Sequence, residues 1–456
     1  MNKKINNWLK NINNIYKNLK KFPKIIHHGI LVKVTGLLLE VQGLVLPIGS
    51  ICYIERYVDN DILEAQGEVI NFKKNKLFVI VFCDNYGFYP GARVYSKNKG
   101  YKNNFNCLYK IPLGKSLLGR VLNGLGQPLD GRLLKSSIKY YNLISKNFIN
   151  PMNRFPISDV FDVGIRSINA LLTIGVGQRI GIFSQAGLGK SFLLGMIAKY
   201  SKVDIVVIGL IGERGREIKE FIENILGKKG LLRAIVIASP SNSSALLKIK
   251  GAEYATRVAE YFRDLNFKVL LIIDSLTRYI LSQREVSLSC GEFPSLNGYP
   301  TSVFSKISNL LERSGNGKSK NSGSITAFYT ILTDINENLD FISNFVKSIL
   351  DGHIILSKNY FNEGIFPAID ISSSMSRVMS NIVTPFHYKL SILFKKYLFS
   401  LKKNKDLLSV GVYVRGNNLI LDKSLKIQNY LKKFLKQDIN INYDFKKSIQ
   451  HLKKIF

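Results

Sequence analysis

The clearest chemical pattern in the chain is residues 184–191, which read SQAGLGKS. The segment follows the apolar stretch RIGIF and opens a helical pattern near Lys190, which is the strand–loop–helix context of a phosphate-binding loop. Its glycines let backbone N–H groups turn toward phosphates, Lys190 would reach the β- and γ-phosphates, and the Ser191 hydroxyl would bind Mg²⁺. A Gly-rich turn that merely carries a lysine is the alternative. The predicted nucleotide-binding residues are Ser184, Gln185, Ala186, Gly187, Leu188, Gly189, Lys190, Ser191 and Phe192, with Ser184 where the usual pattern has glycine.

Two carboxylates end other apolar stretches of the chain. Asp274 ends KVLLIID, where a carboxylate can hold Mg²⁺ through water, although an N-cap for the following SLTRYI pattern is the alternative. Glu213 ends GLIGE and is followed by Arg214. Because ligands of open α/β sheets bind at the carboxyl ends of strands, these groups should share an edge with the loop. Glu213 could then orient and polarise the water that attacks a γ-phosphate, and a surface glutamate in a charged turn is the alternative.

The elements that would position these residues fall into four segments. Residues 1–26 place apolar side chains at steps of three and four, which is typical of an amphipathic helix. Residues 27–98 contain short β-branched runs separated by glycine, which predict a small β-barrel. Residues 99–380 alternate short apolar strands with helical patterns and so predict a mostly parallel sheet covered on both faces. Residues 381–456 carry helical patterns to the end of the chain.

Composition narrows the class of protein further. The chain has 456 residues and a net charge of +33, yet 46% of its residues are hydrophobic, which excludes a disordered basic tail. The four cysteines are widely spaced, so neither a disulfide scaffold nor a zinc site is expected, and no stretch resembles a signal peptide or a membrane span. We therefore expect a cytosolic protein. The charge has two open explanations: a general bias toward lysine, or an acidic partner, lipid headgroups or nucleic acid.

Longer stretches of the chain resemble a known family. GLIGERGREIKEFIENILG, LLIIDSLTRYILSQREVSL, GYPTSVFSKISNLLERSGNG, ILDGHIILS and FPAIDISSSMSRVM are similar to the flagellar type III protein-export ATPases, which are relatives of the rotary ATPases. The likeness runs from about residue 29 to the end. It implies an α/β P-loop (RecA-like) ATPase core, residues 99–380, with an N-terminal β-barrel collar and a C-terminal helical domain.

The resemblance also implies roles for individual residues. Lys190, Ser191 and Asp274 would bind MgATP, and Glu213 would be the catalytic carboxylate. Arg214 and Arg278 would lie beside the γ-phosphate. Phe366 matches the aromatic residue that stacks on adenine in these relatives, and Arg377 matches the arginine finger that reaches a neighbouring subunit's site.

One chain carries both the catalytic carboxylate and the finger, so copies of it can build every catalytic interface, and we expect a homohexamer. The resemblance implies export-apparatus stator and central-stalk proteins and export chaperone–substrate complexes as partners. It also implies peripheral association with the inner face of the cytoplasmic membrane, and no specific nucleic acid is expected. Three alternatives stay open: a virulence-type secretion ATPase, a rotary synthase β subunit, and a hexameric RNA translocase with base-stacking aromatics on its barrel.

Overall fold

A computed structural model of the chain describes residues 8–9, 11–12, 15, 27–97, 108–143, 149–333, 341–409, 411 and 413–456. Two compact units make up the chain, residues 1–109 and 110–456. Most of the predicted helix 1–26 lies outside the described residues, and so does the predicted boundary between residues 98 and 99. Within that segment, Trp8, Leu9, Ile12 and Ile15 are helical and exposed.

The first unit contains a closed β-barrel, which confirms the prediction from its β-branched runs. The strand order is β1-β2-β5-β4-β3-β6, with β6 pairing back onto β1. Alternate side chains point inward, so that Leu39, Val41, Ile54, Val79 and Val94 have no exposed surface and form the barrel core. The strands are β1 His28–Thr35, β2 Leu38–Gln42, β3 Ile51–Val58, β4 Asp61–Lys73, β5 Lys76–Val81 and β6 Arg93–Tyr95.

The second unit is built on a mostly parallel sheet of order β19-β18-β12-β17-β15-β13-β14-β8, in which β16 also pairs with β17. Its central strands are buried along nearly their whole length, because helices cover both faces. Short strands β7 and β9 pair with each other, as do β10 and β11. The strands are β7 Lys110–Leu113, β8 Val121–Leu122, β9 Lys139–Asn142, β10 Val160–Phe161, β11 Ile174–Gly175, β12 Arg179–Ser184, β13 Ile205–Ile211, β14 Ala234–Ser239, β15 Lys268–Asp274, β16 Gly315–Asn316, β17 Ser324–Leu332, β18 Gly352–Ile355 and β19 Met375–Ser376.

Helices fill the connections and form the C-terminal part of this unit, as predicted. Polar N-caps begin several of them; for example, the side chains of Ser244, Thr384 and Asn418 accept hydrogen bonds from the first turns. The helices are α1 Arg166–Leu171, α2 Lys190–Tyr200, α3 Gly215–Glu220, α4 Gly227–Leu232, α5 Ala245–Asp264, α6 Leu276–Ser289, α7 Thr301–Glu312, α8 Phe341–Ile349, α9 Lys358–Asn362, α10 Met379–Ile382, α11 Pro385–Lys403, α12 Lys405–Ser409, α13 Leu419–Leu435 and α14 Phe445–Lys453, with a π-helical segment at Phe221–Leu226 and 3₁₀ turns at Lys115–Leu117 and Pro151–Asn153.

The buried side chain of Arg166 ties the C-terminal helices to the sheet domain. Its guanidinium donates hydrogen bonds of 2.6–2.8 Å to the carbonyls of Lys433, Phe434 and Lys436, at the end of α13. These last-turn carbonyls lack partners within their own helix, so Arg166 satisfies groups that burial would otherwise destabilise.

Cys52, Cys83 and Cys290 are free thiols, and Cys107 lies outside the described residues. None of the described helices combines the length and the apolar character that crossing a membrane needs.

Candidate active site

The predicted phosphate loop connects β12 to α2 at the carboxyl edge of the sheet. Gly187 and Gly189 have φ of 83° and 79°, a region that favours glycine and that turns the backbone toward the helix N-terminus. Ser184 is still part of β12, where its carbonyl accepts a hydrogen bond of 3.0 Å from the N–H of Thr333. Its φ is not positive, so this position does not require glycine, and serine is tolerated there.

The side chain of Lys190 brings the predicted catalytic groups together. Its Nζ lies 2.5 Å from Asp274 Oδ1 and 3.4 Å from Glu213 Oε1. All three side chains are largely buried, with 11%, 3% and 18% of their surfaces exposed for Lys190, Asp274 and Glu213. The three strand ends predicted to share an edge therefore converge on one ammonium group.

Burial and charge act in opposite directions at this cluster. Burial lowers the pKa of Lys190, but the negative charges of Asp274 and Glu213 more than offset it, so that this pKa lies above its ordinary value. Burial and then the charge of Asp274 raise the pKa of Glu213, and Lys190 counteracts only part of that rise. Glu213 is therefore a stronger base than an exposed glutamate, which suits a group that must attract a proton from water.

Asp274 is oriented by a residue that the sequence did not single out. Thr330, in β17, donates its hydroxyl to Asp274 Oδ1 at 2.7 Å. The N-cap of α6 is Ser275, whose Oγ accepts from the Arg278 N–H, so the alternative role of Asp274 as a helix cap is wrong. A threonine near the carboxyl end of a buried strand was the available signal for Thr330.

The neighbours of Glu213 are charged. The Glu217 side chain hydrogen-bonds to Glu213 and raises the pKa of Glu213 further, a contact that the sequence pattern did not reveal. Arg214 is 83% exposed and its Nε lies 3.9 Å from Glu217 Oε1. Arg278 is exposed in the first turn of α6, and its aliphatic carbons pack against Gly212, the residue before Glu213. Both arginines thus flank Glu213 and leave their charges accessible.

Phe366 packs against the phosphate loop. A Cβ placed on Gly189 would lie 2.8 Å from its ring, so glycine is what permits this contact. The ring of Phe192 meets the Phe366 ring edge-to-face at a centroid distance of 6.5 Å, and the Phe192 side chain is exposed. Two aromatic rings therefore stand beside the predicted phosphate site, as an adenine-stacking role requires.

Arg377 stands apart from this cluster. It follows β19, an edge strand of the sheet that lies five strands away from β13. Its exposed guanidinium donates to the carbonyls of Lys347 and Ser348 at the end of α8. Among the described residues, Arg377 has no hydrogen bond or ion pair to the phosphate loop, Glu213 or Asp274.

The oxygen atoms of the site suit Mg²⁺. Ser191 offers a hydroxyl at the start of α2, and Asp274 offers a buried carboxylate, both of which are hard donors. Across the described ranges, no group of three or more His, Cys, Asp or Glu side chains is placed to hold a metal ion. The donor set fits a metal that takes most of its ligands from nucleotide phosphates and water.

Family comparisons agree with this fold and site. Residues 164–376 match the ATP synthase alpha/beta family, nucleotide-binding domain, and residues 383–454 match the T3SS EscN ATPase C-terminal domain. The loop, the carboxylates and the sheet edge on which they lie define a P-loop ATPase of the ATP synthase alpha/beta family.

Comparison with individual relatives shows to which group of P-loop ATPases the chain belongs. The flagellum-specific ATP synthase of Buchnera aphidicola subsp. Acyrthosiphon pisum is 54% identical over 90% of this chain and 87% of its own length. The assembled ATPase EscN from the type III secretion system of enteropathogenic E. coli has a TM-score of 0.85 and 36% identity over 94% of this chain and 99% of its own. EscN in complex with its central stalk EscO has a TM-score of 0.82. The chain belongs to the flagellum-specific ATP synthase family, within the type III export ATPases, and it hydrolyses ATP.

Proposed function

We propose that this chain is the homohexameric ATPase that energises type III export of flagellar proteins. The greater identity to a flagellum-specific relative, 54%, than to the virulence-system EscN, 36%, favours the flagellar system. The family name includes synthase, but a site that positions a water-activating carboxylate beside a phosphate loop suits hydrolysis.

The chain's own residues divide the work of hydrolysis. The loop amides and Lys190 bind the phosphates, and the rings of Phe366 and Phe192 bind the base. Mg²⁺, held by Ser191 and, through water, by Asp274, would neutralise developing phosphate charge. Glu213 orients the attacking water and draws off its proton, and its raised pKa favours that transfer. Arg214 and Arg278, which flank Glu213 with exposed charges, lie where they can stabilise the γ-phosphate.

Arg377 supplies a further positive charge to the γ-phosphate site of the neighbouring subunit. The hexamer is inferred from the positions of two residues of one chain. Glu213 lies in the chain's own site, whereas Arg377 is exposed after edge strand β19, and among the described residues no hydrogen bond or ion pair joins the two. A ring of identical copies places each such edge against the next subunit's site. An arginine finger supplied this way is worth roughly 10³ to 10⁵ in rate.

The same proposal includes partners and location. EscN is described with a central stalk, EscO, and we expect an equivalent stalk protein here. Residues 1–22 are the proposed docking segment for a stator protein, with Trp8, Leu9 and Ile12 as exposed apolar contacts. Export chaperone–substrate complexes are the expected cargo, at the inner face of the cytoplasmic membrane.

Host complementation tests this function and separates it from a virulence-type ATPase. The full chain would be expressed in one strain lacking its flagellar export ATPase and in another lacking its needle-system ATPase. We expect restored motility in the first strain and no secretion in the second, and no rescue by Glu213→Gln expressed at the same level. Rescue of needle secretion alone would overturn the flagellar assignment.

A further inference from the structure

A cavity of about 440 Å³ lies inside the second unit, between the residues that follow β18 and the C-terminal helices. Its walls come from α9 and the residues after it, from α11 and α12, and from α13. The volume is within the range of pockets that bind small molecules, roughly 300–1,000 Å³. Five leucines supply most of the apolar lining of this space, the leucine cavity: Leu398, Leu401, Leu408, Leu425 and Leu435.

Two polar side chains of the leucine cavity offer hydrogen bonds that the protein itself does not use. The hydroxyl of Tyr360, in α9, and the amide of Gln428, in α13, line the cavity and have no hydrogen-bond partner among the residues that the structure describes. Burial, followed by the charges of Asp370 and Glu363, raises the pKa of Tyr360 to about 12, so this hydroxyl keeps its proton. Because a buried tyrosine hydroxyl usually has a partner, the cavity presents a donor that suits an acceptor atom of a ligand.

The lining of the cavity carries more positive than negative charge. Three lysines line it, Lys402, Lys405 and Lys432, against two carboxylates, Asp370 and Glu363. Glu363 is shared between two of these lysines, with Lys432 Nζ 2.9 Å from one oxygen and Lys405 Nζ 3.7 Å from the other. The second distance exceeds that of a hydrogen bond, so Lys405 is only weakly paired.

Asp370 does not balance the remaining charge. It pairs with Lys402 at 2.8 Å, and it also accepts hydrogen bonds from two backbone N–H groups of the turn that follows it. These donors already neutralise its carboxylate. Lys405 is therefore the lysine of the lining that can best accept an anion from outside.

The apolar lining, the free donor and the weakly paired lysine together define one class of ligand. We propose that the leucine cavity binds a small carboxylate with an apolar body, such as a medium-chain fatty acid. The leucines pack against the apolar body, and the surface that it removes from water supplies most of the affinity. The Tyr360 hydroxyl donates to the carboxylate, and the Lys405 ammonium neutralises its charge.

Ligand binding in this cavity should also affect base binding, a step that rests on the proposed role of Phe366. Residues 357–370 form one wall of the cavity and carry Phe366. The Tyr360 carbonyl accepts from the Ile365 N–H at 2.9 Å, and the Phe366 carbonyl accepts from the Gln437 N–H, just beyond α13, at 2.7 Å. A ligand that displaces this wall moves the Phe366 ring, so we expect ligand and nucleotide to weaken each other's binding by the same factor.

The first experiment measures binding of decanoate, below its micelle concentration, to the nucleotide-free full chain by isothermal titration calorimetry. We expect one saturable site per chain. Lys405→Gln and Tyr360→Phe should each weaken binding roughly tenfold, the effect of losing one hydrogen bond to a charged group, and Leu425→Trp, which fills the cavity, should abolish it. The matched control, Lys403→Gln, removes an exposed charge of α11 that does not line the cavity and should bind normally. Decanol has the same chain without the charge and should bind much more weakly.

The outcomes of this titration test the place and the chemistry of the site separately. Binding of many equivalents per chain that survives Leu425→Trp comes from the basic surface and overturns the cavity site. Equal affinity for decanol and decanoate overturns the carboxylate assignment. Melting temperatures show whether the variants fold. If Leu425→Trp does not fold, Leu408→Trp fills the same space from α12 and takes its place.

The second experiment measures the affinity of a fluorescent ATP analogue with and without saturating decanoate. We expect decanoate to weaken analogue binding by roughly fivefold or more in the wild-type and Glu213→Gln chains and to have no effect in Leu425→Trp. Binding of tripolyphosphate, which lacks a base, should not change. An unchanged analogue affinity overturns the coupling to Phe366. Decanoate binding to Glu213→Gln needs no hydrolysis, so this site can fail while host complementation succeeds, and the reverse.

Discussion

Lys190 balances two carboxylates with one ammonium group, and the same ammonium is the group expected to bind phosphate. A bound phosphate therefore competes with Asp274 and Glu213 for the positive charge of Lys190. Glu213 has the longer and weaker contact, 3.4 Å against 2.5 Å, so we expect it to be released first. Once released, the Glu213 carboxylate, with its raised pKa, can accept a proton from the attacking water.

At this scale, Glu213→Gln should keep MgATP affinity within a few-fold of wild type and lower kcat by about 10² to 10⁴, because the carboxylate acts on water and not on the nucleotide. Binding of a fluorescent ATP analogue and steady-state turnover measure the two effects. Glu220→Gln, an exposed change at the end of α3, the helix that follows Glu213, is the control and should behave as wild type. Near wild-type turnover of Glu213→Gln would remove Glu213 from the mechanism.

The pH dependence of kcat/KM tests the electrostatics of the same residue. Glu213 works as the carboxylate, and its raised pKa means that the proton leaves only at a pH above the ordinary glutamate value of about 4.3. The acid limb of the profile should therefore lie above that pH. Glu217→Gln removes a negative charge that raises the pKa of Glu213, so we expect the limb to move to lower pH. A limb that stays in place would show that another group controls it.

At the scale of elements, the strand–loop–helix unit brings Phe366 within reach of the phosphates. Gly189→Ala would place a Cβ 2.8 Å from the Phe366 ring at a φ of 79°. Gly187→Ala carries a similar backbone strain at 83° but has open space around it. We expect both variants to bind tripolyphosphate more weakly, and only Gly189→Ala to lose in addition the preference for ATP over tripolyphosphate. Equal loss of that preference would separate Phe366 from the adenine site.

The sequence predicted the elements of this site well, because its signals are local. The apolar strand, the paired glycines and the following helical pattern all lie within residues 179–200, and the strands that end at Glu213 and Asp274 are continuous apolar runs. The roles of Phe366 and Arg377, in contrast, are predicted from the resemblance to the export ATPases and not from a local sequence pattern.

The contacts that tune the site were not predictable in the same way. Thr330 lies 56 residues from Asp274 along the chain, and only the order β17-β15 in the sheet brings them together. The pairing of Arg377 with helix-end carbonyls 29 and 30 residues away likewise depends on how α8 ends. Such contacts follow from topology, which a single sequence encodes only weakly.

At the scale of the whole molecule, hydrolysis should be a property of the assembly. Monomers possess Glu213 but, on our proposal, lack a finger, so the rate of hydrolysis should rise more steeply than linearly with protein concentration below the assembly threshold. Turnover and mass measured by light scattering over the same dilution series test this. Arg377→Ala should still bind nucleotide and should lose about 10³ or more in kcat. Arg415→Ala, another exposed arginine of the second unit, is the control.

Mixing Arg377→Ala with Glu213→Gln tests the trans geometry directly. Each variant alone lacks one half of every interface, whereas a mixed ring contains interfaces that join the intact Glu213 of one subunit to the intact Arg377 of the next. In an equimolar random ring about one interface in four is complete, because each interface is directional, so about a quarter of wild-type activity should return. If rings that are demonstrably mixed stay inactive, or if dilute monomers keep full specific activity, then Arg377 acts within its own chain and only caps the end of α8.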